Sequence, residues 1–469
     1  MAAGMSENEK GQYDLLVIGS GPGGYVAAIR AAQLGKKVAC VEKHSTLGGV
    51  CLNVGCIPSK ALLESSHKYH ECRTAMEVHG IRVGNISLDL AAMMARKDAI
   101  VKNLTAGIDF LFKKNRIDRF YGTARILDNK GVEITGENKL NVRTKAVLIA
   151  TGSKAAALPG VELDGTHVIS STEALAFAAV PRHLVVIGAG AVGLEMGSVW
   201  QRLGAEVTVV EYLDRVLPTA DRDISKQALR LLKKQGMKFL LGSKIEGVER
   251  TGEGCRVAIS GREPIIAEKV LVAIGRTPCT EGLGFKELGG KTDRRGFIEV
   301  DSHWQTSLPG VYAIGDVIGG AMLAHKASEE GVACVEQLFT GYGHVNYQAV
   351  PSIVYTHPEM ASVGRTEESL KEEGVPVKTG IFYFKANGRA LALGDTEGLI
   401  KIIAHRDSDR ILGVHIIGPQ AGDLLAEAVV AMEFSASSED LARAFHSHPT
   451  LSEVLKEAAL NIDNAAIHG

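Results

Sequence analysis

No stretch of this 469-residue chain is apolar for long enough to span a bilayer, which excludes a membrane-spanning helix. An excess of one charge is missing as well: 52 Lys and Arg stand against 54 Asp and Glu, for a formal net charge of −2. No basic surplus points to nucleic acid, and no acidic tail points to a cationic partner. Seven cysteines are too few, and an odd number, for a secreted disulfide framework in a chain of this length. Residues Met1 to Gln12 lack both the apolar core of a secretory signal and the arginines of a transit peptide. Aromatics are sparse at 5%, whereas glycine is abundant at 53 residues. That balance predicts a soluble α/β protein with many tight strand-to-helix turns, in about three domains.

The glycines are ordered. Tyr13 to Ile18 reads as a strand buried on both faces, and it runs into Gly19-Ser20-Gly21-Pro22-Gly23-Gly24 and an Ala-rich helix through Leu34. A second strand from Lys37 ends at Glu42. This is G-x-G-x-x-G with a strand before it, a helix after it and an acid at the offset expected of a ribose ligand. Gly19, Gly21 and Gly24 let the backbone approach a pyrophosphate at the helix N-terminus. The pattern then repeats: strand His183 to Ile187, Gly188-Ala189-Gly190-Ala191-Val192-Gly193, a helix to Leu203, and a strand ending at Glu211. Gly19 to Glu42 and Gly188 to Glu211 span the same 23 positions. The strand Ala146 to Gly152 is echoed by Val270 to Gly275. Two such folds predict two dinucleotides, one a flavin and one a nicotinamide.

Between the first fold and its continuation lies Gly48-Gly49-Val50-Cys51-Leu52-Asn53-Val54-Gly55-Cys56-Ile57-Pro58-Ser59-Lys60. Two cysteines five positions apart in a Gly-rich turn can close a disulfide or open it; a buried structural pair is the plain alternative. Pro58 suits the first position of the helix that follows, which would put Cys56 beside the positive end of its dipole and favour a thiolate there. Further on, the strand Pro309 to Ile314 ends in Gly315-Asp316, an acid able to accept hydrogen bonds from cofactor hydroxyls. After Pro351 the pattern changes to alternating strands and two helices, an α+β block. Near the end stands His446-Ser447-His448-Pro449-Thr450-Leu451-Ser452-Glu453, where a carboxylate five positions from His448 can orient an imidazole base. No Cys or third His lies at ligand spacing, so no metal site is expected.

The order of fingerprint, C-x4-C turn, second fingerprint, Gly-Asp strand and His-Pro-Thr ending resembles the pyridine nucleotide–disulfide oxidoreductases, from about Tyr13 to Glu453. Within that family, Cys51-Leu-Asn-Val-Gly-Cys56-Ile-Pro-Ser-Lys60 and His448-Pro-Thr-Leu-Ser-Glu453 are most similar to the branch that oxidises dihydrolipoamide with NAD+. The resemblance implies an α/β fold with two Rossmann-like domains and a C-terminal α+β dimerisation domain. It implies an FAD domain at 1–157, an NAD domain at 158–282, a second FAD segment at 283–350 and the dimerisation domain at 351–469.

For the site, the resemblance implies that Cys51 exchanges with the dithiol, Cys56 is the thiolate held against FAD, and His448, oriented by Glu453, is the base. Gly19, Gly21, Gly24, Glu42, Gly152 and Asp316 would serve FAD; Gly188, Gly190, Gly193, Glu211 and Gly275 would serve NAD. Lys60 and Glu195 would form an ion pair near the flavin. Val50 departs from the family, which commonly has Thr there; a hydrogen bond near the flavin would be lost without loss of activity.

A homodimer is implied, in which the base serves the partner's disulfide. Lipoyl domains and the core acyltransferase of 2-oxoacid dehydrogenase complexes, or the glycine-cleavage lipoyl protein, would be its partners. The compartment would be a bacterial cytoplasm or a mitochondrial matrix. A glutathione reductase-like NADP enzyme fits less well, since arginines reading a 2′-phosphate have no clear match around Glu211. Mercuric ion reductase lacks support because the last cysteine is Cys334. A role chiefly as a docking subunit is the rival from outside enzymology.

Overall fold

The computed structural model describes residues 9–128, 131–252 and 254–468, so residues 1–8, most of the stretch read above as no targeting segment, lie outside it. No helix among the described residues is long and apolar enough to cross a membrane. The chain is α/β and forms two compact units.

The first unit gathers residues up to Ala61, Met94–Ala156 and Gly275–Val345. Its sheet runs in the order Asp118–Tyr121, Val38–Glu42, Glu9–Ile18, Lys139–Ile149, Gly131–Thr135, Thr123–Ile126, with Val311–Ala313 also pairing with Lys139–Ile149. Leu15 to Ile18 are all buried, as are Val38 to Val41, because both faces are covered in the parallel part of this mixed sheet. The first strand begins at Glu9, earlier than the expected Tyr13. Its opening residues Glu9 and Lys10 pair with Asn141 and Val142 and are charged, so the sequence there has no apolar run to announce a strand. Lys139–Ile149 is one strand with two roles: its first half pairs antiparallel with Gly131–Thr135, its last residues parallel with Val311–Ala313.

The second unit comprises Leu62–Met93, Ala157–Ile274 and the chain from Asn346 onward. A parallel sheet runs Lys238–Leu240, Glu206–Val210, His183–Ile187, Lys269–Val272, Val168–Ile169. Beside it lies a three-stranded antiparallel sheet of Ile245–Thr251, Gly254–Ile259 and Ile265–Ala267. The C-terminal block is an antiparallel sheet in the order Ser352–Val354, Glu359–Gly364, Ile411–Gly418, Leu399–His405, Val377–Tyr383. Helices Ala421–Glu433 and Glu453–Asn461 share one core with it, built around Phe382, Ile400, Ile402, Val414, Leu425 and Val454.

One charged cluster sits inside this unit. Lys401, 1% exposed, lies 3.0 Å from both oxygens of the fully buried Asp221 and reaches Asp223 at 2.7 Å and Glu367 at 2.6 Å. Asp221 also caps the helix Arg222–Lys234, its Oδ1 accepting the Asp223 N–H at 3.0 Å.

Candidate active site

The two fingerprints fold alike, atom for atom. Gly19 (φ +99°) and Gly188 (φ +107°) stand in the left-handed region, and a Cβ on either would lie 2.5 Å from the carbonyl oxygen of Ala150 or Ala273 in the adjacent strand. Only glycine fits at Gly24 and Gly193, where a Cβ would come within 1.9 Å of the Gly19 oxygen and 2.2 Å of the Gly188 oxygen. The middle glycines differ. A Cβ on Gly21 or Gly190 would meet nothing within 4 Å, and neither residue supplies a side-chain cap to the helix it starts. Each helix therefore presents its first N–H groups beside open space, which is what a pyrophosphate needs.

Glu42 and Glu211 close the two loops in the same way. Glu42 Oε2 accepts the Ser20 N–H at 3.0 Å and its hydroxyl at 2.7 Å, while Oε1 accepts the His44 N–H at 2.9 Å. Glu211 Oε2 accepts the Ala189 N–H at 2.7 Å and Oε1 the Leu213 N–H at 2.9 Å. Each carboxylate thus fixes its glycine loop at the end of the second strand.

The cysteine segment is docked on the first of these loops. Gly48 donates its N–H to the Ser20 carbonyl at 3.0 Å, and a Cβ on Gly49 would lie 2.6 Å from the Gly21 Cα. The sulfurs are thereby held next to the dinucleotide loop. The segment is not the simple turn expected: Gly49–Val54 is a short helix containing Cys51, Gly55 breaks it, and Cys56 opens the helix Cys56–Thr74. Pro58 is accordingly the third residue of that helix rather than its first. It remains in the first turn, where a missing N–H costs nothing, and Cys56 stands at the positive end itself.

Asn53 braces the short helix by donating to the carbonyls of Leu47 at 3.0 Å and Gly49 at 2.9 Å, and Thr46 donates to its Oδ1 at 2.8 Å. Both cysteines are free thiols in this structure, and both are half-buried. The Cys51 thiol is pushed well above its ordinary value by its hydrogen bond with Cys56 and then by burial, with the Lys60 ammonium acting in the opposite sense. Within the pair, Cys51 is the sulfur that holds its proton more tightly than an ordinary thiol.

In the second unit, His448 Nδ1 is 2.9 Å from Glu453 Oε1, and Glu453 Oε2 accepts the Thr450 N–H at 2.8 Å. Burial opposes the charge on Glu453, but these two bonds outweigh it and hold the carboxyl below its usual range. With Nδ1 directed at a carboxylate, Nε2 is the nitrogen able to take up a proton. The imidazole is 78% exposed on the chain alone. His446 does something else: its buried ring lies 2.8 Å from Glu427 Oε1. Among the described residues no group of three His, Cys, Asp or Glu side chains is placed to hold a metal.

Comparison with known proteins agrees with this geometry. The family profile described as pyridine nucleotide-disulphide oxidoreductase matches residues 13–331, and the dimerisation domain of the same family matches residues 350–459. The chain is 53% identical to a mitochondrial dihydrolipoyl dehydrogenase from Pisum sativum, over 100% of this chain and 94% of that protein. It is 53% identical to a leghemoglobin reductase from Glycine max, over 98% of this chain and 88% of the relative. Among solved structures, LpdA from Mycobacterium tuberculosis superposes with a TM-score of 0.88 at 27% identity, covering 95% of this chain and 98% of that one. The chain belongs to the pyridine nucleotide-disulphide oxidoreductases.

The remaining expected residues of this oxidoreductase divide between the units. Gly152 (φ +69°) and Gly275 (φ +128°) both face open space and lie in the first unit with Asp316. Asp316 is engaged in a relay that the sequence reading missed: Ser153 Oγ donates to its Oδ2 at 2.5 Å, and Arg276 Nε donates to Ser153 Oγ at 2.6 Å. The signal was available, since Ser153 and Arg276 each follow the glycine of an echoed strand end, and the strands Ser153–Ala155 and Arg276–Pro278 pair with each other. Lys60 lies one turn beyond Cys56 in the first unit. Glu195, in the second, accepts the Tyr355 N–H at 3.0 Å. Val50 is exposed on the short cysteine helix.

Proposed function

We propose that this chain is a dihydrolipoyl dehydrogenase, oxidising protein-bound dihydrolipoamide to lipoamide while NAD+ is reduced to NADH. The observation that carries this reading is the docking of Gly49 on Gly21, which hangs a reducible sulfur pair from a dinucleotide-binding loop. FAD would be held by Gly19, Gly21, Gly24, Glu42, Gly152 and Asp316, with Lys60 and Glu195 as further cofactor-binding residues. NAD would be held by Gly188, Gly190, Gly193, Glu211 and Gly275. When bound, the flavin supplies electron-pair transfer between the reduced cysteines and the nicotinamide.

The chain's own residues do the thiol chemistry. A dithiol sulfur, deprotonated across the dimer by Nε2 of a His448, attacks Cys51 of the oxidised pair and expels Cys56 as a thiolate. The second substrate thiol then attacks the substrate sulfur of the mixed disulfide and releases Cys51, leaving lipoamide and a reduced pair. Cys51 as proton donor and Cys56 as acceptor is the arrangement this reaction leaves behind. Glu453 orients His448 and supports its charged form.

The exposed His448 imidazole and the matched dimerisation domain support a homodimer in which the base serves the partner's disulfide. The assembly is a component of 2-oxoacid dehydrogenase complexes, with lipoyl domains and the core acyltransferase as partners, or of glycine cleavage. The mitochondrial matrix is favoured over a bacterial cytoplasm, because the relative from Pisum sativum is named mitochondrial. NAD is favoured over NADP, since Glu211 repels a 2′-phosphate and Arg215 turns one of its nitrogens, Nη2, to the Pro218 carbonyl at 2.5 Å.

Anaerobic addition of dihydrolipoamide to the purified holoprotein tests the reading. The expected result is a long-wavelength thiolate-to-flavin band that NAD+ discharges with formation of NADH. A flavin that dithiol leaves oxidised would refute it.

A further inference from the structure

A base on an exposed loop has a problem of placement. The His448 ring is 78% exposed, yet proton transfer needs it fixed to within a fraction of an ångström. Glu453 fixes the ring relative to its own helix, but the loop from Ala444 to Ser452 has to be fixed as well. Two side chains, distant in sequence from each other and from the reacting sulfurs, do this from either side.

Asn387, 4% exposed, faces the loop from the C-terminal side of the base. Its Oδ1 caps the helix Gly388–Leu393 by accepting the Ala390 N–H at 2.9 Å, which sets the amide so that Nδ2 donates to the Thr450 carbonyl at 3.0 Å. Thr450 is the residue whose N–H holds Glu453 Oε2, and its hydroxyl closes the loop onto the Ser447 carbonyl at 2.7 Å. From the other side, His446 Nε2 lies 2.8 Å from Glu427 Oε1 and Nδ1 lies 3.2 Å from the Ala444 carbonyl. Both partners are acceptors, so the doubly protonated ring is the form that satisfies both contacts, and the Glu427 carboxylate raises the pKa of His446 accordingly. Lys456 also donates to the Ala444 carbonyl, at 3.1 Å.

We propose that Asn387 and the His446–Glu427 pair are positioning residues for the base, clamping the loop on both sides of His448. This rests on the dihydrolipoyl dehydrogenase reading for its effect on rate, though the clamp itself does not. The charged groups facing His446 are Glu427 and Lys456; those facing the His448–Glu453 pair include His468. The clamp holds while His446 is charged and loosens as pH rises through its elevated value, because a neutral ring can donate only one of the two bonds.

The test uses Asn387→Asp, which keeps the cap acceptor and removes the donor, His446→Leu, which removes both bonds, and His446→Gln, which keeps one donor. In holoenzyme, Asn387→Asp and His446→Leu are expected to lower kcat/KM for dihydrolipoamide by about 10- to 100-fold, mostly in kcat. His446→Gln should recover much of the loss. Reduction of ferricyanide by NADH, which bypasses the cysteine pair and the base, should stay within about two-fold of wild type. Deuterium exchange over residues 446–453, measured without substrate, should accelerate in both impaired variants. Equal loss of both activities with loss of flavin would reduce these residues to general structure, and unchanged dithiol turnover with unchanged exchange would overturn the clamp. Should wild type itself fail to oxidise dihydrolipoamide, the functional reading falls while exchange still decides the clamp.

Discussion

Lys401 Nζ lies 3.0 Å from each carboxylate oxygen of Asp221, with neither side chain more than 1% exposed. An ion pair so deeply buried stabilises little by existing but costs heavily when broken, because the survivor is left charged in a dry place. Lys401→Met is therefore expected to lower unfolding free energy by about 3–5 kcal/mol, and adding Asp221→Asn should recover a large part. Burial works against the Asp221 charge, but His415 and Lys401 prevail and hold the carboxyl below its ordinary value; Glu367 is likewise held low. Groups depressed in the folded state contribute above their unfolded pKa and lose that contribution as pH falls through the folded one. Urea midpoints of wild type and Lys401→Met should accordingly converge as pH drops into the acid range. A constant difference from pH 7 to pH 3 would contradict this.

The middle and last glycines of the second fingerprint make opposite predictions. A Cβ on Gly190 meets nothing, and its φ of −79° suits alanine, so Gly190→Ala should leave stability unchanged or raise it by about 0.4–1 kcal/mol. The methyl group would occupy the pyrophosphate's approach, so KM for NAD+ should rise at least about 10-fold. Gly193→Ala puts a Cβ 2.2 Å from the Gly188 oxygen and should destabilise the unit itself. Thermal unfolding beside NAD+ kinetics separates the two: a stability loss at Gly190 equal to that at Gly193 would remove the distinction.

The repeat made most of this legible from sequence. Buried parallel strands are apolar runs, and the G-x-G-x-x-G loops dictate their own geometry, so Gly19, Gly24, Gly188 and Gly193 stand as the spacing required. What stayed hidden has physical reasons. The first strand opens at Glu9 in a polar stretch of sequence with no apolar run. Glu359–Gly364 and the helix Glu453–Asn461 lie in the block whose strands pair across long sequence separations, which no local pattern encodes. The helix expected to start at Pro58 starts two residues earlier, at Cys56, because its start is set by the break at Gly55, whose φ of −142° and ψ of −116° no composition rule announces. Ser153, Arg276, Asn387 and Glu427 act through hydrogen bonds to residues far along the chain.

Cys51 and Cys56 should fail differently. Cys56→Ser removes the acceptor that keeps Cys51 protonated, so the Cys51 thiol should titrate at lower pH than in wild type. Ultraviolet thiolate absorbance or the pH dependence of alkylation reports it. Turnover of dihydrolipoamide should be lost in Cys51→Ser and Cys56→Ser alike, with FAD retained in both, since neither sulfur holds the loop that Gly49 docks on. Either variant turning over at the wild-type rate would rule out the cysteine route.

Glu453 uses its two oxygens for two donors, the His448 ring at 2.9 Å and the Thr450 N–H at 2.8 Å. Glutamine has only one oxygen, so Glu453→Gln sets an amide NH2 against one of these donors and must release it. Either the imidazole loses its orientation or the loop loses its anchor. The expected loss is about 100-fold or more in kcat for dihydrolipoamide, with about 1 kcal/mol of stability. Because the carboxyl is held below its usual range, the wild-type pair stays intact down to acid pH. A kcat for Glu453→Gln equal to that of wild type would show that the bond at 2.9 Å has no part in setting the base.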